Sequence, residues 1–349
     1  MKNKKRQKNK NKIKFLNQKA NVVACKKLEF TTEEITLTNP ENIIVKIKSS
    51  AICGGDKKAY IGKHPFVDFP IALGHEFSGE IVAAGKKANN FSAGDRVVVE
   101  PAVNCGNCSN CLQGKYNFCQ DLTFLYRQGK AGMAQYIEVA ANKAYKLPDS
   151  LSFQEGALIE PLAVAVHAWQ RNQVKFSDKV AIIGSGTIGL LLLQLALNSG
   201  VKKTTIFGIS DSKLELAHEL GADNVIKNQN KSKAEKLNNK YNQVFEAVGL
   251  EQTFNQALDI TKPDGRVVLV GLYKNEILVD LNKAIQKELN IYGSQGYCWN
   301  FSEAIDLAAS GKIKLNPLIT NQFKLAEIDK ALETAIDPAE EAIKVICNC

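Results

Sequence analysis

Residues 179–198 read KVAIIGSGTIGLLLLQLALN, and the periodicity of the chain changes inside them. Lys179–Ile183 is a continuous apolar run of the kind a strand buried on both faces shows, while Gly189–Asn198 continues as an apolar helix. Between them Gly184-Ser185-Gly186-Thr187-Ile188-Gly189 fits the dinucleotide fingerprint G-x-G-x-x-G. Each glycine has a mechanical use there. Gly184 permits the tight turn, Gly186 lets the backbone approach a pyrophosphate, and Gly189 lets helix and strand pack closely. The amides that open the helix at Thr187 and Ile188 lie where a helix dipole favours negative charge. The glycines alone are weak evidence, but a strand before them and a helix and second strand after them form a stronger signal.

Outward from this point the alternation continues. Thr204–Gly208 reads as a strand, Ser212–Leu220 as an amphipathic helix stopped by Gly221, and Tyr241–Ala247 and Arg266–Gly271 as further strands. This predicts a doubly wound parallel sheet over residues 162–297, a Rossmann domain. Upstream, Val22 to Val139 holds short β-branched runs between turns, such as Ile43–Ile47, Glu80–Val82 and Arg96–Val99, which predict an antiparallel, barrel-like domain. Phe153 to Trp169 reads as helical, and Phe301–Ser310 supplies one helix near the end. The fold class is therefore α/β, with a barrel domain from residues 20–161 and 298–349 beside the Rossmann domain.

The fingerprint normally ends with an acid about 20 residues on, which bonds the adenosine ribose. Here the second strand ends at Gly208, and Asp211 lies three residues beyond it. Without a carboxylate at 208 nothing repels a ribose 2′-phosphate, and Ser210 and Lys213 stand close by to receive one. Either NAD or NADP fits, with a lean to NADP. On this reading Gly208→Asp shifts preference toward NAD, unless Asp211 reaches back to the ribose instead.

Residues 105–119 read CGNCSNCLQGKYNFC. Cys105, Cys108, Cys111 and Cys119 are spaced to converge on one tetrahedral Zn²⁺ with no open position, which makes the site structural. A disulfide cluster is the competing reading. Nine cysteines without an apolar signal segment point to a reducing, cytoplasmic setting that opposes it. No apolar run approaches the roughly 18 residues of a membrane span. The net charge of +9 is concentrated in residues 1–19, which carry eight lysines and Arg6; the rest balances 36 basic against 36 acidic residues. Those nineteen residues read as a flexible basic tail. Lacking an aromatic before Phe15 for base stacking, the tail does not favour nucleic acid as a partner.

A second, open metal site is also indicated. Cys53 and His75 supply a thiolate and an imidazole, and Glu76 and Glu160 supply carboxylates. Such a set suits Zn²⁺ and leaves a position for water or substrate. Taken singly, Cys53 also fits a core cysteine and His75-Glu76 a turn pair.

The segment Gly74-His75-Glu76-x-x-Gly79, with Gly85 and Ala88 downstream, resembles the signature of the zinc-containing medium-chain dehydrogenases/reductases. The four-cysteine lobe and the strand–GSGTIG–helix follow in the family's order, so the resemblance covers roughly residues 12–349. It implies a GroES-like catalytic domain, a Rossmann domain inserted before its last segment, and two zincs per subunit, with the catalytic one in the cleft. The stretch Gly156–Leu162, holding Glu160, is similar to the sorbitol (polyol) dehydrogenase branch. The ligands carried over are Cys53, His75 and either Glu76 or Glu160. The family often places Ser or Thr two residues after the ligand cysteine and His five residues after it, as a proton relay. This chain has Gly55 and Lys58 there, which leaves water, Glu76 or Glu160 to move the proton, and a serine at 55 is expected to be tolerated. Gly296 before Tyr297 departs from an arginine that some polyol dehydrogenases carry, and Ala102 departs from a histidine of threonine dehydrogenases.

The expected function is zinc-dependent, NAD(P)-linked oxidation of a secondary alcohol to a ketone, with a polyol, sugar alcohol or polyol phosphate as substrate, in a cytoplasmic homo-oligomer (dimer or tetramer). Lys58 is a cation near the cleft that a phosphorylated polyol would use. A diol or amino-alcohol dehydrogenase on the same scaffold is the alternative. A non-catalytic zinc and nucleic-acid-binding protein is a further one, opposed by the presence of all four open-site ligand candidates.

Overall fold

The computed structural model describes residues 13–64, 68–228 and 237–349 of the 349-residue chain. Most of the basic stretch, residues 1–12, lies outside the described residues. Lys14–Ala24, however, is a strand paired with Lys27–Thr36. The lysines read as a tail at 14 and 19 are instead ladder residues, ion-paired across to Glu34 and Glu33. Exposed pairs of this kind contribute about 0–1 kcal/mol each, so the strand is held by Asn17, Ala20 and Val22, which turn inward.

Five strands from the first half of the chain and the last two strands build a mixed seven-stranded sheet around Asn42–Ile52. This strand pairs with Glu76–Ala84, Tyr136–Ala140 and the last strand, Lys344–Asn348. Its apolar residues explain the central place: Ile43, Val45 and Ile47 face a core with Phe77 and Ile81. Register does the rest. Ala51 lies opposite Glu76, and Ile52 lies opposite Val345. The ends of three strands distant in sequence therefore meet at one place, bringing Cys53, His75 and Lys344 together. The strand Ile319–Lys324 runs parallel to the last strand, an exception in an otherwise antiparallel barrel.

The second half forms a six-stranded parallel sheet. Counted along the chain from Lys179–Ile183, its order is 3-2-1-4-5-6, ending in Asn290–Gly293. That is the order of a doubly wound dinucleotide-binding sheet. The helix Thr187–Asn198 follows the first strand, and Leu190 to Leu193 within it have no solvent exposure. A helix apolar on all sides is a helix buried on all sides. Each of those leucines contributes roughly 1.5–3 kcal/mol by burial. One contiguous core joins this helix to Ile159–Gln170 and Phe301–Ala309. The helical reading of Phe153 to Trp169 resolves into two helices, Phe153–Ala157 and Ile159–Gln170, the first opened by the Ser152/Glu155 capping box.

Candidate active site

Cys53 directly follows the central strand and caps the helix Gly54–Tyr60, its Sγ accepting from the amides of Gly55 (2.9 Å) and Asp56 (3.3 Å). The Cys53 sulfur lies 4.0 Å from His75 Nδ1. Ligand atoms of His75, Glu76 and Glu160 also lie within 4.8 Å of one another. Cys53 and His75 are half-buried, whereas Glu76 and Glu160 are buried. Burial pushes the Cys53 thiol up. At His75 burial opposes the charged ring, but the Cys53 sulfur outweighs it and holds the imidazole well above its ordinary value. Burial raises the Glu160 carboxyl to about 7, ahead of the opposing pull of His75. A thiolate, an imidazole and a carboxylate are a donor set that fits Zn²⁺, and His75 stands close to both the thiolate and the carboxylates.

The two carboxylates differ in their surroundings. Lys344 Nζ donates to both oxygens of Glu76, at 2.6 and 2.9 Å, with both side chains buried. Among the described residues no ion pair of this kind reaches Glu160; its neighbour is the buried Tyr297 hydroxyl. Lys344 was not legible in the sequence, because nothing local marks a lysine 268 residues from its partner. Asp56 was missed as well, although Cys53-Gly-Gly-Asp56 has capping-box spacing. One Asp56 oxygen accepts from the Cys53 amide (3.0 Å) and the other from the Gly74 amide (3.1 Å), clamping the two ligand loops together. Gly55 is tighter than expected. A Cβ there lies 3.1 Å from Cys53 Sγ, so a serine would press on the ligand sulfur, and the expected tolerance does not follow.

The four lobe sulfurs also converge within 4.8 Å. Cys105 Sγ lies 3.5 Å from Cys119 and 3.9 Å from Cys111. Zinc–sulfur bonds of about 2.3 Å in a tetrahedron put sulfurs about 3.8 Å apart, far from the roughly 2.05 Å of a disulfide, and all four cysteines are free thiols. Backbone amides of Cys111 and Gln120 lower the Cys108 thiol to about 6, favouring thiolate. The lobe is tied to the segment after the parallel sheet by Trp299, whose indole donates to the Gly114 carbonyl at 2.8 Å.

At the fingerprint, a Cβ on Gly189 would overlap the Gly184 carbonyl, while the space beside Gly186 is open. Helix Thr187–Asn198 starts at Gly186, with Thr187 and Ile188 in its first turn. The ribose end differs from the expectation. A Cβ on Gly208 would overlap the Ser185 side chain and crowd Leu214, so glycine at 208 is a packing requirement as well as the absence of a charge. Gly208→Asp therefore does not act as a clean specificity switch. Ser210 caps the helix Asp211–Glu219, its Oγ accepting from the Lys213 amide (3.3 Å). Lys213 Nζ donates to the Ala342 carbonyl (2.9 Å), and the Thr187 hydroxyl donates to the Ile343 carbonyl (3.1 Å). The Glu341 carboxylate is held down by the hydroxyls of Ser212 and Ser210. Asp211, the alternative ribose acid, is ion-paired with Lys227 at 2.6 Å.

A barrel that brings Cys53 to His75, and His75 to Glu76 and Glu160, in a chain with a doubly wound dinucleotide-binding sheet has the layout of a metal-dependent dehydrogenase. Residues 39–149 match the family described as Alcohol dehydrogenase GroES-like domain, and residues 187–310 the one described as Zinc-binding dehydrogenase. The chain belongs to the zinc-containing medium-chain dehydrogenase/reductase family, as a GroES-like barrel joined to a Rossmann domain. It is 32% identical over 332 residues to the sorbitol dehydrogenase of Bacillus subtilis (strain 168), covering 92% of this chain and 94% of that one. A Sinorhizobium meliloti 1021 protein solved with NADP bound superposes with a TM-score of 0.90 at 27% identity, covering 96% of this chain and 100% of that chain. Galactitol-1-phosphate dehydrogenase of Escherichia coli superposes at 0.88 with 29% identity, covering 95% and 100%. Among the described residues no helix is long and apolar enough to cross a membrane.

Proposed function

We propose that the chain oxidises a secondary alcohol of a polyol, sugar alcohol or polyol phosphate to a ketone, using NAD(P)⁺. One observation carries this reading: His75 lies 4.0 Å from the Cys53 sulfur and within 4.8 Å of the Glu76 and Glu160 carboxylates, while Lys344 engages Glu76 and leaves Glu160 as the carboxylate to complete a Cys53, His75 and Glu160 ligand set. A Zn²⁺ held there supplies Lewis-acid polarisation of the alcohol oxygen. Asp56 holds the two ligand loops in fixed relation, so the ligand geometry is set before substrate arrives. The fingerprint helix presents its N-terminal amides beside open space at Gly186, suited to the nucleotide's pyrophosphate. The contacts of Thr187 and Lys213 with the backbone of Ile343 and Ala342 tie that helix region to the strand carrying Lys344.

A second zinc in the lobe of Cys105, Cys108, Cys111 and Cys119 fits the sulfur spacing, giving two per subunit. The sorbitol and galactitol-1-phosphate specificities of the relatives support polyols, with or without a phosphate. Gly208 keeps the lean to NADP, and an NADP-bound neighbour agrees with it, while Glu341 beside Ser210 opposes it. Leu278, Leu281 and Ile285, exposed in the segment that leads into the edge strand Asn290–Gly293, are apolar residues suited to a homo-oligomer contact. A screen of polyols, polyol phosphates and diols with NAD⁺ and NADP⁺, read by absorbance of the reduced nicotinamide, tests the reading. Turnover of a polyol class is the expected result, and inactivity toward every secondary alcohol overturns it.

A further inference from the structure

Residues 55 and 58 lack the hydroxyl and imidazole that would carry a proton out of the site, yet the fold brings another imidazole to the same place. A side chain on Gly55 would begin 3.1 Å from Cys53 Sγ and 3.8 Å from His64 Nε2. The place of a side chain at 55 therefore borders both the ligand sulfur and the His64 ring. We propose that His64 is the proton-relay residue of this enzyme, passing the alcohol's proton from the site to bulk water. The proposal rests on the dehydrogenase reading above.

Three features suit His64 to the task. Its side chain is half-buried, so one ring face can lie toward the site while the residue keeps contact with solvent. The two atoms nearest that place are the Cys53 sulfur and His64 Nε2, polar partners of the kind a bridging water uses. The charged groups around it are Lys58 and the opposing Asp56 on the helix Gly54–Tyr60, and Arg127 and His75 from other segments. Burial first, and Lys58 next, hold its imidazole below the ordinary value, so at neutral pH the ring is in the form that accepts a proton. The balance is simple. The alcohol O–H proton passes through water to His64 Nε2 and the ring releases a proton to solvent. The carbinol C–H bond breaks with its electron pair passing to NAD(P)⁺. Ketone, NAD(P)H and one H⁺ result.

The test uses the zinc-replete full chain, with His64→Ala and His64→Gln, and the exposed His218→Ala as control. The pre-steady-state rate of nicotinamide reduction is measured across pH. His64→Ala should lose about a hundredfold at neutral pH, recover toward alkaline pH, and regain rate with added imidazole. His64→Gln should show the same profile without rescue, and His218→Ala should match the wild type. Nucleotide affinity and zinc content should not change. Should His64→Ala lose zinc, His64→Gln decides on the same profile. Independently of turnover, the His64 ring resonance, one of four histidines, should titrate below about 6.5. Full neutral-pH rate in both variants, a loss whose pH profile stays that of the wild type, or a His64 resonance that titrates well above that value overturns the relay. A wild type that oxidises no alcohol overturns the dehydrogenase reading, and the relay with it.

Discussion

Lys344→Met strips the ammonium from a pair that is buried on both sides. Lys344 Nζ sits 2.6 and 2.9 Å from the Glu76 oxygens, and both side chains are only 4% exposed. Methionine keeps most of the aliphatic stem, so little packing is lost and the change is mainly electrostatic. Were the pair exposed, its loss would cost about 0–1 kcal/mol. Buried, it leaves a carboxylate without its cation, which costs about 3–5 kcal/mol. With an unfolding slope of about 3 kcal/mol per molar urea, the midpoint should fall by roughly 1–1.7 M. Glu76→Gln should cost a comparable amount, because it strands the ammonium. The double variant should return to within about 1 kcal/mol of the wild type, since removing both charges removes the desolvation penalty too. A Lys344→Met midpoint unchanged within error, or a double variant as unstable as the two singles summed, would refute the reasoning.

Cys108→Ser should lower thermal stability and leave one zinc per chain, with specific activity of the surviving folded protein less affected, because lobe zinc contributes to folding rather than chemistry; differential scanning calorimetry with metal analysis checks this. Cys53→Ser and Glu160→Gln should each abolish turnover and release the other zinc while nucleotide affinity, measured by calorimetry, stays near wild type. Gly208→Asp should weaken binding of both nucleotides, since the new side chain collides with Ser185 inside the fingerprint. Glu341→Gln, which removes the carboxylate beside Ser210, should instead improve NADP⁺ relative to NAD⁺ in kcat/KM; an unchanged ratio would show that Glu341 does not face the ribose.

How much was legible follows sequence distance. The fingerprint and the cysteine lobe are local: their spacing alone carries the chemistry, and the strand Lys179–Ile183 and the sulfur convergence appear where the spacing puts them. Arg96–Val99 was equally plain from its β-branched run. The N-terminal strand was not, because Lys14 and Lys19, with Asn17 and Gln18 between them, look like the end of a basic tail until the partner strand supplies Glu33 and Glu34. The Lys344–Glu76 pair is set by sheet register across most of the chain, and no local pattern encodes it. Gly208 shows a different limit. Its missing carboxylate was readable, but the Ser185 side chain that forbids one exists only once the turn and strand have packed. His64 escaped notice for a similar reason, since its approach to Gly55 depends on how the loop after Gly54–Tyr60 folds back.

The most direct measurement is polyol oxidation by the purified chain before and after selective removal of zinc from the site proposed at Cys53, His75 and Glu160. Sorbitol and galactitol 1-phosphate, offered with NAD⁺ and with NADP⁺, should give reduced nicotinamide with at least one pair. That activity should vanish when a chelator takes the open-site zinc, while the lobe keeps its own, and return when Zn²⁺ is restored. Turnover that survives loss of the open-site metal, or no turnover of any polyol by fully metallated protein, would contradict the assignment.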